Sequence, residues 1–321
     1  MPDSVPEITP SRRSPEVESA PVVQLYFMRP HSCRLVILFL GFVSLALAAR
    51  GATFDVEIPH LWRDSFDKAA FHLWLPDKGG PVRGVAVVLD GINVDGRHLA
   101  GRVQWQKFAQ DHSLALVACY FSSDDLSLPI YCEANLGSGR ALLSGLAALG
   151  KASGHPEFET VPLFLLGFSA GGQFSYSFAC FCPTRVAAFV SNKGGIYLTP
   201  ATAAARDIPG LFIAGAKDTA RRAAILRIYT DNRKLGARWC MAIEPNRGHE
   251  TANANDLALP FFEAVIRSWG RPVTERAGVG LDLDRRQLIA PGVPPKDATI
   301  TFWFPDEQTI AVWNTFMTKP R

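Results

Sequence analysis

A serine hydroxyl is a weak nucleophile near neutral pH. It needs a base beside it, and the base needs an acid that holds its tautomer. Three polar residues in this chain come in an order that meets that need, each just past a short apolar run. Leu163-Phe-Leu-Leu-Gly167-Phe168-Ser169-Ala170-Gly171-Gly172 carries an apolar run, too short for a helix, into the pattern G-x-S-x-G, and a helix-compatible segment follows. Ser169 is thereby expected on a sharp strand-to-helix turn. Gly167 and Gly171 remove the side chains that would collide there. A second apolar run, 211–215, ends in Gly215-Ala-Lys217-Asp218, and a third, 237–243, runs into Glu244-Pro-Asn-Arg-Gly248-His249-Glu250. Nucleophile, orienting acid and general base are thus expected at the carboxyl ends of strands, where open α/β sheets place their ligands.

Each piece also has a plainer role. G-x-S-x-G recurs in loops without chemistry. Asp218 could serve as the N-cap of a helix over 219–229, and His249 could be a surface-loop histidine. The joint order of the three favours chemistry. Of the other histidines, His112 ends an amphipathic helix and His72 lies in a polar/apolar alternation, so both read as structural, while His60, His98 and His155 lie in loops away from strand ends.

On these residues the chain resembles the α/β-hydrolases. Among them it is most similar to secreted, capless esterases: the feruloyl and acetylxylan esterases, the polyhydroxyalkanoate-depolymerase-like proteins and the dienelactone-hydrolase-like proteins. The resemblance covers about residues 54–270. It implies a mostly parallel sheet with helices on both faces, and hydrolysis of carboxylic esters through an acyl-enzyme on Ser169, with His249 and Asp218 completing the triad. It implies no cofactor and no metal. The substrates implied are esters, including polymer-attached esters of plant polysaccharide or polyester. A serine peptidase, an acyltransferase and a catalytically silent binding module of the same fold share these elements. The resemblance also implies an oxyanion hole with one donor from Ala170, the residue after the nucleophile, and one from Ile92, after the strand 84–89. Many relatives carry His-Gly-x there, whereas this chain carries Asp90-Gly91-Ile92. Asp90 could hold the loop through its carboxylate, and Asp90-Gly91 could also be merely a turn.

The positioning elements alternate. Strands are expected at 71–75, 82–89, 114–120, 163–168 and 186–190, with 77–80 as a hairpin turn joining the first two. Helices are expected at 103–112, 136–152 and 259–269, the last with Pro260 in its first turn. About 20 residues separate Val190 from Leu211, which leaves no room for a full helical lid at the usual position. The chain has 321 residues, 48% hydrophobic and 20% charged, enough for a real core. A net charge of +3, scattered in sequence, gives no case for nucleic acid.

Residues 1–27 are polar, Pro/Ser/Glu-rich and read as a disordered or untranslated leader. Met28 opens a second start: Arg29 and Arg34, the apolar run 35–47 and Ala46-Leu47-Ala48 make a secretory signal peptide over 28–48. A membrane span needs about 18 apolar residues and the run is shorter, so no stable anchor is expected, with an uncleaved anchor as the rival reading. The protein is therefore expected to be secreted or periplasmic, with a catalytic domain over 49–270 and a C-terminal extension over 271–321 docked on it. Of the five cysteines after the signal, Cys119 and Cys132 are the first choice for a bridge, against the alternative that all are buried small hydrophobes. In the extension, Phe302-Trp303-Phe304 reads as a strand and 305–317 as a helix, either packing on the core or presenting aromatics to sugar rings or an aromatic polymer.

Overall fold

The structure, a computed structural model, describes residues 51–77, 79–126, 130–269, 278–290, 297 and 301–318. The leader and the signal peptide read from the sequence lie outside the described residues. The described residues fall within one unit, Leu47–Arg321.

Eight strands form the main sheet: β1 Gly51–Glu57, β2 Lys68–Pro76, β3 Gly84–Leu89, β4 Leu114–Ser122, β5 Leu163–Phe168, β6 Val186–Asn192, β7 Gly210–Gly215 and β8 Trp239–Glu244. Their order is β1-β2-β4-β3-β5-β6-β7-β8. β1, β2 and β4 pair antiparallel, and from β4 to β8 every pair is parallel. β3 and β7 are buried along their whole length and show no alternation, because parallel strands are covered on both faces. The covering helices are α1 Val103–His112, α2 Ser138–Ser153, α3 Ala170–Phe181, α4 Ala203–Arg206, α5 Thr219–Arg233 and α6 Asn255–Arg267. Phe262 of α6 packs on both Phe108 of α1 and Phe164 of β5. Between β6 and β7 stands only the single turn α4, so among the described residues no large lid is inserted at this point of the sheet.

Four expectations from the sequence are corrected. Residues 77–80 do not make a hairpin: β2 pairs with β1 and β4, and β3 lies beyond β4. The fully apolar β3 is buried by parallel partners on both edges. The connection 77–83 steps over β4, a shift of about 10 Å that seven residues reach with ease. Helix α6 starts at Asn255, which puts Pro260 in its second turn instead of its first. The proposed Cys119–Cys132 bridge is also absent. All five described cysteines are free, and four are buried. Burial pushes the Cys132 and Cys180 thiols up to about 12, and Cys119 and Cys240 higher still. They fill space as small apolar groups.

In the C-terminal extension, β9 Val279–Asp282, β10 Gln287–Ile289 and β11 Thr301–Phe304 form a small sheet in the order β10-β9-β11, followed by α7 Glu307–Thr318. Phe302, Trp303, Phe304 and Trp313 are all buried, which overturns the reading of an aromatic surface for sugar rings. They pack instead against β8 and α5. The Trp313 indole N–H donates to the Met241 carbonyl of β8 at 2.8 Å, and the Ile243 N–H lies 3.0 Å from Met317 Sδ. Side chains of α7 therefore satisfy two backbone groups of β8, the Met241 carbonyl and the Ile243 N–H. Trp313→Ala is expected to cost about 3–5 kcal/mol. Trp313→Phe, which keeps the ring but orphans the Met241 carbonyl, should cost about 1–3 kcal/mol. Urea unfolding midpoints check that ranking.

Candidate active site

β5 delivers Ser169 to the carboxyl edge of the sheet, and α3 begins with the next residue. Ser169 has φ 53° and ψ −116°, a conformation that residues with a Cβ seldom adopt. Two glycines make this elbow possible. A Cβ on Gly167 would come within 2.0 Å of the Gly171 carbonyl, and one on Gly171 within 2.6 Å of the Asp90 carbonyl. The elbow is pinned to β6 by the Ser169 N–H, which donates to the Asn192 carbonyl at 2.9 Å.

Asp218 follows β7 and is 9% exposed. It stands at the N-cap of α5, yet its side chain makes no capping hydrogen bond. Its carboxylate is spent elsewhere. Oδ2 lies 2.9 Å from His249 Nδ1, and Oδ1 lies 3.5 Å from Nη1 of Arg221. His249, on the loop after β8, has its Nε2 2.9 Å from Ser169 Oγ. An ionised carboxylate only accepts, so Nδ1 carries the proton, and the Nε2 lone pair faces the serine hydroxyl. The Phe168 ring lies against the imidazole at 4.9 Å. The structure thus brings Ser169, His249 and Asp218 into one hydrogen-bonded relay.

Partial burial and the nearby Arg221 guanidinium lower the His249 pKa, and the bond to Asp218 opposes them without reversing the result. A lowered value keeps the imidazole neutral, and so able to accept a proton, over more of the acid range. The His249 ring signal in an NMR titration should therefore change with a midpoint below the ordinary value of about 6.5.

The turn after β3 passes beside the serine: a Cβ on Gly91 would stand 3.8 Å from Ser169 Cβ. Asp90 Oδ1 accepts the Gly91 N–H at 2.7 Å, which is the loop-holding role considered for it. The Tyr131 hydroxyl donates to the Gly91 carbonyl at 3.3 Å, and Asn93 exchanges two hydrogen bonds with the Ser123 backbone. Among the described residues, the Ile92 and Ala170 amides donate to no protein group. Beside Phe168 lies a cavity of about 260 Å³, lined by Asp90, Leu99, Trp105, Asn192 and Thr251 among others.

Three charged residues at the site escaped the sequence reading. Arg221 sits one helical turn after Asp218. Lys193 and Glu244 form an ion pair at 2.8 Å, with side chains 0% and 1% exposed. The only signal in the sequence was a charge just past the end of β6, after Ser191-Asn192, and another at the end of β8.

No protein-family model and no curated protein matches the chain in sequence. Solved structures match in shape. A ferulic acid esterase aligns with TM-score 0.52 at 12% identity, over 68% of this chain and 99% of that one. Esterase PE8 aligns with TM-score 0.44 at 21% identity, over 58% and 94%. A poly(3-hydroxybutyrate) depolymerase from Bordetella parapertussis aligns with TM-score 0.46 at 18% identity, over 69% and 89%. At such identities the likeness is one of architecture: the chain has the α/β-hydrolase fold.

Proposed function

We propose that the protein is a serine hydrolase that cleaves carboxylic esters through an acyl-enzyme. The observation that carries this reading is the relay itself, with 2.9 Å from Ser169 Oγ to His249 Nε2 and 2.9 Å from Nδ1 to Asp218. As Oγ attacks the ester carbonyl, its proton passes to Nε2, and Asp218 stabilises the imidazolium. The carbonyl oxygen becomes an oxyanion and accepts from the N–H groups of Ile92 and Ala170. The tetrahedral species collapses as Nε2–H protonates the departing alkoxide. Water, deprotonated by the same nitrogen, then releases the acid and restores Ser169. These steps call for no cofactor.

The single turn α4, in the place where a lid would stand, leaves the site open. An open site suits bulky or polymer-attached esters, with plant polysaccharide esters first and polyesters second. The reading includes export by the apolar run 35–47.

The test is labelling with a serine-reactive fluorophosphonate alongside turnover of p-nitrophenyl acetate. One equivalent of label on Ser169, with loss of turnover in step, is the expected result. Turnover that survives full labelling, or label on another residue, defeats the reading. The oxyanion assignment has its own check. Ile92→Ala keeps the amide and should be tolerated, whereas Ile92→Pro removes the N–H and should lower kcat by about 10²–10³.

A further inference from the structure

The buried Lys193–Glu244 pair has no part in the steps above, yet it lies directly behind them. Desolvating two charges takes back most of what their attraction yields, and an apolar pair of similar size serves stability as well. What an ammonium and a carboxylate supply in addition is direction. Lys193 Nζ donates to Glu244 Oε2 at 2.8 Å and to Asn192 Oδ1 at 3.2 Å. Glu244 Oε1 accepts from the backbone N–H of Asn253 at 3.1 Å and from its Nδ2 at 3.0 Å. Asn192 Nδ2 donates to the Thr251 carbonyl at 3.1 Å. These bonds close a ring: Asn192, Lys193, Glu244, Asn253, back along the chain to Thr251, and again to Asn192.

The ring touches both reacting partners. The Asn192 carbonyl accepts the Ser169 N–H, and His249 lies on the loop whose two ends the ring ties, Glu244 before it and Thr251 and Asn253 after it. Lys193 holds its place at a backbone φ of 54°, a strained value for a residue with a side chain, and its N–H donates to Ile213 of β7 at 2.7 Å. Such strain persists where the surroundings over-determine the conformation.

We infer that the Lys193–Glu244 pair is a positioning device for His249, closing a hydrogen-bonded ring that sets the base against the strand end to which Ser169 is pinned. The inference rests on the reading of Ser169 and His249 as nucleophile and base. Reaction through this pair is sensitive to distance, since a misplacement of about 1 Å costs on the order of 10²-fold. The ring also sets a charge near His249. The charged groups that face the imidazole are Asp218 and Arg221 from the start of α5 and Lys193 from the end of β6, while Arg247 and Glu250 on its own loop pair with each other at 3.7 Å. Lys193 is among the groups that lower the His249 pKa.

Two variants test the inference. Lys193→Met/Glu244→Gln removes both charges together and leaves neither unpaired. Asn253→Ala loosens the ring by removing one of its two bonds to Glu244, that from Nδ2, while the backbone N–H bond and the ion pair stay whole. Turnover of p-nitrophenyl acetate is measured per fluorophosphonate-titrated site, beside melting temperature and the NMR titration of His249. The double variant is expected to lower kcat by about 10–100-fold, and Asn253→Ala several-fold, each with KM within about threefold of wild type. The His249 midpoint should stay in place in Asn253→Ala, where no charge is lost. A lower melting temperature with kcat per site within twofold of wild type in both variants overturns the inference and leaves the pair a purely structural feature. If the double variant does not fold, Asn253→Ala decides by the same criterion on kcat. If the wild-type protein turns over no ester, the functional reading fails by itself. The rate at which the fluorophosphonate labels Ser169 then decides for the ring: a fall of about tenfold or more in the double variant supports it, and an unchanged rate overturns it.

Discussion

Ser169→Ala should reduce ester turnover by several orders of magnitude, on the order of 10⁶ in kcat where the triad acts as a unit. The fold should be untouched. Oγ makes its hydrogen bond to His249, and the elbow is held by backbone groups, the Ser169 N–H to Asn192 and the Gln173 N–H to the Ser169 carbonyl. Alanine keeps both backbone bonds and loses only the one to His249. It also keeps the strain of φ 53°, so Ser169→Gly serves as the companion variant. Glycine adopts that φ without steric penalty and should unfold at a higher urea concentration than the alanine variant, while remaining as inactive. Residual turnover near that of wild type in either variant would remove Ser169 from the chemistry.

Asp218→Asn has the second largest expected effect, about 10⁴-fold in kcat. The carboxylate receives the Nδ1 proton of His249. An asparagine amide can instead donate to Nδ1, which sends the ring proton to Nε2, the atom that must accept from Ser169. Were Asp218 chiefly a helix cap, the substitution would leave kcat alone and cost at most about 1 kcal/mol. The geometry already separates these roles, since the side chain makes no capping bond. A kcat measurement paired with a urea midpoint separates them in solution: a large loss of rate at nearly constant stability is the expected result.

What could be read from the sequence was whatever local sterics and strand ends dictate. Gly167 and Gly171 mark a turn that only glycine fits, and following each short apolar run to its end leads to Asp218 and His249. Strand neighbours were harder. β2 and β3 are joined by a link long enough for either a hairpin or a step over β4, and the choice depends on partners far away in the chain. β1, with its sequence Gly-Ala-Thr-Phe-Asp-Val-Glu, lies at the sheet edge largely exposed and carries little apolar signal. Pro260 misled because proline favours the first turn of helices without being confined to it. Lys193 and Glu244 could not be linked, because nothing local tells a buried lysine from an exposed one. Phe302-Trp303-Phe304 shows the same limit for aromatics: the strand pattern is identical whether it faces a ligand or the core.

The side chains of α7 that satisfy two backbone groups of β8 have a consequence for the order in which the protein takes shape. Chains emerge from the ribosome N-terminus first, and β8 appears well before β11 and α7. During that interval the sheet can zip from β3 to β8 and assemble the elbow, while the last strand still shows a row of unpaired amides and carbonyls to its surroundings. Such a row is the template on which foreign strands add. Trp313 and Met317 end that period. Their arrival occupies two groups of the growing edge, so the extension acts during synthesis as an internal terminator of sheet growth. Chains stalled before it would be the ones prone to pair with each other.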